Sequence, residues 1–200
     1  MLEIGDVIVT AKRIQETALK YFAEKGYEAT TLGDIAGAIG IKKPSIYAHY
    51  ASKMDLFLAI VEENSIDYCQ CWRQSLDATA HLPADEHLYK LFSLISQHYI
   101  TNNIKTAFWV RLWMFPPADC PIDILASLKT LNNQFIMEVS AIFAEGSNRK
   151  ILRQAEPTEL AHAYFCLLDG YLMRSICYPG FDYQKALPEI WQCFEAGIKI

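Results

Sequence analysis

The sequence contains none of the short motifs that usually mark an enzyme. It has no GxSxG or HExxH pattern, no P-loop and no dinucleotide-binding glycine motif. Its Asp and Glu residues are scattered in a way that is typical of solvated helix faces. Nothing positive favours an enzyme, and we expect neither a catalytic residue nor a cofactor.

A long apolar segment is also missing. No run without a charge approaches about 18 apolar residues, the length that marks a membrane-spanning helix. Glu3 and Asp6 stand near the N-terminus, where a signal peptide would carry positive charge followed by an apolar stretch. We therefore expect a cytoplasmic protein with no membrane partner.

The six cysteines show neither CxxC spacing nor dense clustering, which favours buried thiols in a reducing compartment. His162 and Cys166 lie four residues apart, so a helix could direct both at one metal ion. Zinc needs about four ligands, however, and no second pair is evident. A position in the core is the favoured interpretation of both residues, and we expect no metal site.

The sequence is rich in apolar residues at helical spacing, with 52% hydrophobic and 20% charged residues. This balance is ordinary for a chain that buries a substantial core. Residues 1–55 hold seven basic and seven acidic residues, whereas residues 56–200 hold 11 basic and 16 acidic ones. A chain that is acidic overall can still bind phosphate where its basic groups cluster on one surface.

Two helices are predicted near the N-terminus. Ile14, Ala18 and Phe22 form an apolar stripe that leads to Gly26, a residue suited to the end of a helix. Thr31 and Asp34 then have the spacing of a capping box, with Asp in place of Glu, at the start of a second, short helix.

A third helix, from about Lys43 to Tyr50, follows a tight turn. Gly40 suits the turn, and Pro44 suits the first turn of a helix because its missing N–H costs nothing there. Two short helices joined in this way form a helix-turn-helix, whose second helix enters the DNA major groove. Residues 40–53 contain three lysines and no Asp or Glu, so this helix carries no charge that would repel phosphate.

Residues 13–61 resemble the N-terminal DNA-binding region of the TetR family of bacterial transcriptional regulators. The resemblance covers about a quarter of the chain and rests on residues in the family's order, namely Phe22, Gly26, Thr31, Ile35, Ala36, Gly40, Ser45, Ile46, Tyr47, Tyr50 and Lys53. It implies a homodimer, a helical C-terminal ligand-binding domain, and repression that a small molecule relieves. The candidate DNA-contacting residues are Thr31, Lys42, Lys43, Pro44, Ser45, Tyr47, His49 and Lys53.

The rest of the chain is predicted to be helical, which makes the fold all-α. We place a helix-turn-helix DNA-binding domain at residues 1–52 and a ligand-binding and dimerisation domain at residues 53–200. A long fourth helix, from about Lys53 to Ala78, would link them. Further helices are expected near 84–101, 104–114, 121–145, 157–178 and 183–198. The last two resemble the family's dimerisation helices, although they could instead be core of a single subunit.

Aromatic residues are dense in the C-terminal part and could line an apolar pocket. The candidate ligand-binding residues are Tyr68, Trp72, Phe92, Phe108, Trp109, Arg111, Trp113, Phe135 and Tyr164. The competing interpretation is that the aromatic side chains fill core and that Arg111 forms a structural salt bridge.

The favoured function is a dimeric regulator, most simply a repressor, that a small apolar or aromatic effector releases from a near-palindromic operator. The alternative is a ligand-binding or interaction module of the same fold with weak DNA binding. The residues alone name neither the effector, the operator nor the regulated genes, and repression rather than activation rests on the resemblance.

Overall fold

Helices account for most of the chain in the computed structural model, which describes residues 4–178 and 180–200, with side chains from residue 10 onward. The described helices are α1 (Ile4–Lys25), α2 (Leu32–Ile39), α3 (Lys43–Tyr47), α4 (Lys53–Thr79), α5 (Ala84–Thr101), α6 (Asn103–Met114), α7 (Ile122–Asn148), α8 (Pro157–Cys177) and α9 (Tyr183–Ile198). Within these residues the β-structure is limited to one isolated bridge between Leu152 and Lys199. The predicted all-α class is confirmed.

Most helix boundaries agree with the sequence-based prediction, but α3 is shorter than expected. It ends at Tyr47 rather than near Tyr50. After that point His49 N–H donates to the carbonyl of Ile46 at 2.9 Å, a tighter turn than an α-helix makes. The carboxylate of Asp55 then accepts a hydrogen bond from Ala51 N–H at 2.9 Å. This bond stabilises the start of α4.

The chain divides into two compact units. The first contains α1, α2, α3, the part of α4 up to Cys69, and Asn102–Cys120 with α6. The predicted stripe of α1 is buried here, with Ile14, Ala18 and Phe22 at most 1% exposed. Phe57 of α4 connects the helices, because its ring lies 5.4 Å from that of Phe22 and 5.4 Å from that of Phe108 on α6.

The second unit comprises Gln70–Thr101 and Pro121–Ile200, and its core lies among α5, α7 and α8. Gly146 of α7 packs closely against the side chains of Leu152 and Ala84. A Cβ added at this glycine would lie 2.5 Å from Leu152 and 2.8 Å from Ala84. Trp72, on the second half of α4, is fully buried and stacks on Phe135 of α7 with ring centroids 4.5 Å apart.

Glu138 of α7 holds the second half of α4 in place. Its carboxylate accepts from the Trp72 indole N–H at 2.6 Å, pairs with Arg73 at 3.3 Å and accepts from Gln134 at 3.1 Å. We expect Glu138→Ala to lower the free energy of unfolding by about 2 kcal/mol, because a buried indole donor loses a charged acceptor. Urea denaturation measures the change.

The control is Glu145→Ala, which removes a carboxylate of the same helix that pairs with exposed Arg149. Exposed pairs of this kind contribute about 0.5 kcal/mol or less. Equal effects of the two substitutions would contradict the anchoring role of Glu138.

No helix in residues 4–178 and 180–200 is long and apolar enough to cross a membrane.

Candidate nucleic-acid interface

The capping box predicted at Thr31 is present and fixes the start of α2. The Thr31 hydroxyl accepts from Asp34 N–H at 3.1 Å, and the Asp34 carboxylate accepts from Thr31 N–H at 3.1 Å and from the hydroxyl at 2.7 Å. The side-chain hydrogen bond from Thr31, followed by the backbone one, lowers the pKa of Asp34. Thr31 is exposed but already engaged in this cap.

The turn between α2 and α3 also follows the prediction. Gly40 has φ +73°, a left-handed conformation that glycine adopts without strain, and its N–H closes α2. The guanidinium of Arg13 donates to the carbonyl of Ile39 at 3.3 Å and so supports the end of α2 from α1. Lys42 is the N-cap of α3 but makes no side-chain capping bond, and Pro44 in the first turn lessens the need for one.

The tip of α3 presents most of the predicted DNA contacts together. Ile46 is fully buried and Tyr50 is 9% exposed, and these two side chains fix the orientation of α3 in its unit. The opposite side is open to solvent, with Tyr47 50% exposed and the ammonium of Lys43 5.8 Å from the centre of its ring. Lys42, Lys43, Pro44 and Ser45 are exposed, and His49 is partly buried.

This surface suits a nucleic-acid backbone. It carries four hydrogen-bond donors, namely the ammonium groups of Lys42 and Lys43 and the hydroxyls of Ser45 and Tyr47. These donors lie close together along the chain with no acidic residue between them. An exposed side chain on a short helix can also reach base edges in the major groove.

Lys53 differs from the other predicted DNA contacts because its ammonium group already forms hydrogen bonds within the protein. It donates to the carbonyls of Tyr27 at 2.7 Å and Thr30 at 3.0 Å, and it lies 4.0 Å from the centre of the Tyr27 ring. An ammonium has three N–H donors, so one is left for a phosphate. Lys53 thus connects the start of α4 to the loop between α1 and α2.

For Arg111 the sequence offered either a ligand contact or a structural salt bridge, and it did not reveal the helix cap that this residue forms. Its Nε donates to the carbonyl of Ala23 at 2.6 Å and its Nη2 to that of Glu24 at 2.8 Å, so Arg111 of α6 caps the C-terminus of α1. Gly26 completes this helix end with φ +86°, and a Cβ added there would lie 3.4 Å from the guanidinium. No local signal reveals a cap whose partners are 88 and 87 residues apart in sequence.

We expect Arg111→Met, which keeps the aliphatic bulk, to lower the free energy of unfolding by about 1–3 kcal/mol because two carbonyls at the helix end lose their donor. Hydrogen exchange should accelerate first at the last turn of α1. The matched control is Arg149→Met, since Arg149 is exposed and pairs with Glu145 of its own helix. An unchanged exchange rate at the end of α1 would show that the cap contributes nothing.

The predicted ligand-binding residues are divided between the two units. The first unit holds Tyr68, Phe108, Trp109, Arg111 and Trp113, and the second holds Trp72, Phe92, Phe135 and Tyr164. In the first, Phe108 is buried, Trp109 is 9% exposed and Trp113 is 46% exposed. In the second, all four are at most 1% exposed, and Phe92 contacts Tyr164 edge-on at 5.8 Å. Ring contacts join Phe108 to Trp109 in the first unit, and Trp72 to Phe135 and Phe92 to Tyr164 in the second.

The prediction of buried thiols is wrong, because none of the six cysteines is fully buried. Cys166, Cys177 and Cys193 are exposed, and Cys69, Cys71 and Cys120 are partly buried. His162 is exposed as well, so the core interpretation of His162 and Cys166 also fails. The apolar pattern around α8 did not reveal which of its sides faces the core. The described part of the chain contains no group of three or more residues able to hold a metal ion.

These features define an all-helical protein with a helix-turn-helix of the DNA-binding kind near its N-terminus. Residues 14–60 match the family model of bacterial regulatory proteins of the tetR family. The N-terminal region of the chain is therefore similar to the TetR family, in agreement with the resemblance. The matched proteins are transcriptional regulators rather than enzymes.

Among curated relatives, the chain is 43% identical over 56 residues to the negative transcriptional regulator IcaR of the icaADBC biofilm operon from Staphylococcus epidermidis. This match covers 28% of the chain and 30% of the relative, so the chain matches less than a third of the length of IcaR.

Two solved structures share the fold over nearly the whole chain. The ketosteroid transcriptional regulator KstR2 of Mycobacterium tuberculosis has a TM-score of 0.76 at 21% identity, and the match covers 96% of this chain and 95% of that one. AibR, in complex with isovaleryl coenzyme A and operator DNA, has a TM-score of 0.72 at 18% identity, with 92% and 96% covered. The predicted architecture, an N-terminal helix-turn-helix followed by a helical C-terminal part, is confirmed.

Proposed function

We propose that the chain is a dimeric transcriptional regulator that represses by binding a near-palindromic operator and is released by a small apolar or aromatic effector. The observation that carries the proposal is the acid-free tip of α3, which is exposed on one side and anchored by Ile46 on the other. The similarity of this region to IcaR, a negative transcriptional regulator, supports repression. The operator DNA in the AibR structure supports an operator as the partner.

The outward faces of α8 and α9 support a homodimer through residues 157–178 and 183–198. Both faces are exposed and include small residues, namely Ala163, Cys166 and Gly170 on α8 and Cys193, Ala196 and Gly197 on α9. Small side chains let helices approach closely, and a Cβ added at Gly170 or Gly197 would have no described atom within 4 Å apart from those of its own helix segment. Four such helices, two from each subunit, would pack as a bundle.

Two recognition helices held by such a dimer would meet half-sites about 34 Å apart or a near multiple of that distance. An effector that changes this separation would weaken binding, with a coupling of about 1–3 kcal/mol in typical cases. We propose that α4 transmits the effect of the bound effector to the recognition helices. This helix packs in one unit through Phe57 and forms a hydrogen bond in the other through Trp72.

The isovaleryl coenzyme A in the AibR complex supports a small-molecule effector. In functional terms we retain residues 1–52 as the DNA-binding domain and residues 53–200 as the effector-binding and dimerisation domain. Because operator DNA lies in the bacterial cytoplasm, the proposal places the protein there.

A mobility-shift assay of the full chain with DNA from upstream of its own gene tests the proposal. The shift should weaken steeply with salt, because each neutralised phosphate contributes a slope of about −0.9 in log affinity against log salt. Competitor DNA of unrelated sequence should displace the complex only at large excess. No shift at low salt would favour the alternative, a ligand-binding or interaction module of the same fold.

A further inference from the structure

Trp191 of α9 contains a buried hydrogen-bond donor that no described residue accepts. Its side chain is 4% exposed, and its indole Nε1–H has no partner within residues 10–178 and 180–200. Buried polar groups in folded proteins are nearly always paired. The buried Trp72 follows that rule, since its indole donates to Glu138 at 2.6 Å. The unpaired donor of Trp191 therefore calls for an acceptor outside the described residues.

The surroundings of Trp191 are aromatic and belong to α5, α8 and α9 within one unit. Its ring lies 5.4 Å from that of Phe92, 6.1 Å from that of Tyr164 and 5.3 Å from that of Phe194, measured between centroids. The Tyr164 hydroxyl donates to the carbonyl of Leu88 at 3.3 Å.

A second unpaired group lies on the same helix as Phe92. The hydroxyl of Ser96 is fully buried and has no hydrogen-bond partner among the described residues. Ser96 follows Phe92 by four residues and so lies one turn further along the same face of α5. The face that carries Phe92 thus offers a second polar group, while the rings packed around Trp191 carry no charge.

We propose that the effector carries a neutral acceptor oxygen, of the carbonyl kind, that binds the indole N–H of Trp191 among the aromatic rings of α5, α8 and α9. This inference rests on the proposed function, because it assumes an effector. A neutral oxygen is favoured over a carboxylate, since burying an anion without a positively charged partner is costly. An apolar body suits the surrounding rings.

An effector bound at this site would contact one of the proposed dimerisation helices. Trp191 lies on α9, whose outward face is one of the two proposed dimerisation surfaces. A molecule seated against Trp191 would press on α9 from inside the subunit. The separation of the two recognition helices would then depend on whether this site is occupied.

Benzophenone and diphenylmethane test the inference, because the two molecules have similar shapes and differ by a carbonyl in place of a methylene. Benzophenone also crosslinks to nearby C–H groups on near-ultraviolet irradiation, so its position can be mapped by mass spectrometry. With the full chain, we expect benzophenone to bind at least about tenfold more tightly than diphenylmethane, a difference of about 1.4 kcal/mol. The crosslinks should fall on α5, α8 or α9.

Trp191→Phe keeps an aromatic ring and removes the donor, so the two probes should bind this variant alike. The control is Tyr21→Phe, which likewise keeps a ring and removes a donor, but on α1 in the first unit, and should preserve the preference. Equal binding of the probes to the unaltered chain, no saturable binding of either, or crosslinks confined to other helices would overturn the inference. The comparison on the unaltered chain stands even if Trp191→Phe does not fold.

Operator binding without probe, measured in parallel, separates the two proposals. If the unaltered chain shifts its operator but shows no preference for the carbonyl, only the inference about Trp191 fails. If the unaltered chain shifts no DNA, the proposed function fails, whatever the probes do.

Discussion

Gly170→Arg is expected to give a folded protein that no longer holds its operator. The glycine lies on the exposed side of α8, and a Cβ added there would have no atom of the other described residues within 4 Å, its own helix segment aside. Arginine also has a higher helix propensity than glycine, so a single subunit should tolerate it. In a dimer, the added charge would be buried between packed helices without a partner.

The effect on DNA binding should be large because two linked half-site contacts reinforce each other, typically by a factor of about 100 or more. We therefore expect sedimentation to show a monomer, circular dichroism to stay helical, and operator affinity to fall at least about 100-fold. Asn133→Arg, on an exposed side of α7, is the matched control and should change none of the three. A variant at Gly170 that stays dimeric and retains its affinity would refute the proposed interface.

We expect Lys43→Ala to weaken DNA binding and Lys53→Ala to lower stability. The Lys43 side chain is exposed on α3, so its removal should leave the free energy of unfolding unchanged. Operator affinity should fall about tenfold, and the salt slope should shrink by about 0.9 for each phosphate that is no longer neutralised. A dimer carries two copies of Lys43, so the substitution should affect two phosphates.

Lys53→Ala removes a donor from two carbonyls, those of Tyr27 and Thr30. We expect it to lower the free energy of unfolding by about 2 kcal/mol. Any decrease in affinity should be similar for all DNA sequences, because a contact from the remaining N–H to a phosphate would carry no sequence information. Thermal denaturation and mobility shifts measured on both variants provide the comparison. If Lys53→Ala left stability untouched and reduced the salt slope as much as Lys43→Ala, the structural role assigned to Lys53 would be wrong.

The helix-turn-helix was predictable because local chemistry determines it. The Thr31–Asp34 capping box, the glycine at position 40 and the proline at position 44 each act within a few residues, and the structure shows all three in the predicted roles. The bounds of α4, α5 and α9 were also close to prediction, since Pro, Gly and Asn residues separate the apolar stretches around them.

Contacts between distant parts of the chain could not be predicted. Arg111 stands as a lone charge in an apolar helix, and only the folded chain shows that it caps α1. The exposure of Cys166 depends on which side of a mostly apolar α8 faces the core, and helical periodicity cannot settle that when apolar residues occur on all sides. Trp191 gave no signal at all, because an unpaired indole is visible only once its neighbours are in place.

Hydroxyl-radical footprinting of the operator with the full-length protein tests the central claim most directly. A dimer that inserts two copies of α3 predicts two protected patches on one face of the duplex, about one helical turn or a near multiple apart and related by a two-fold axis. A single protected patch, or protection that persists after Tyr47→Ala and Lys43→Ala are combined, would contradict it.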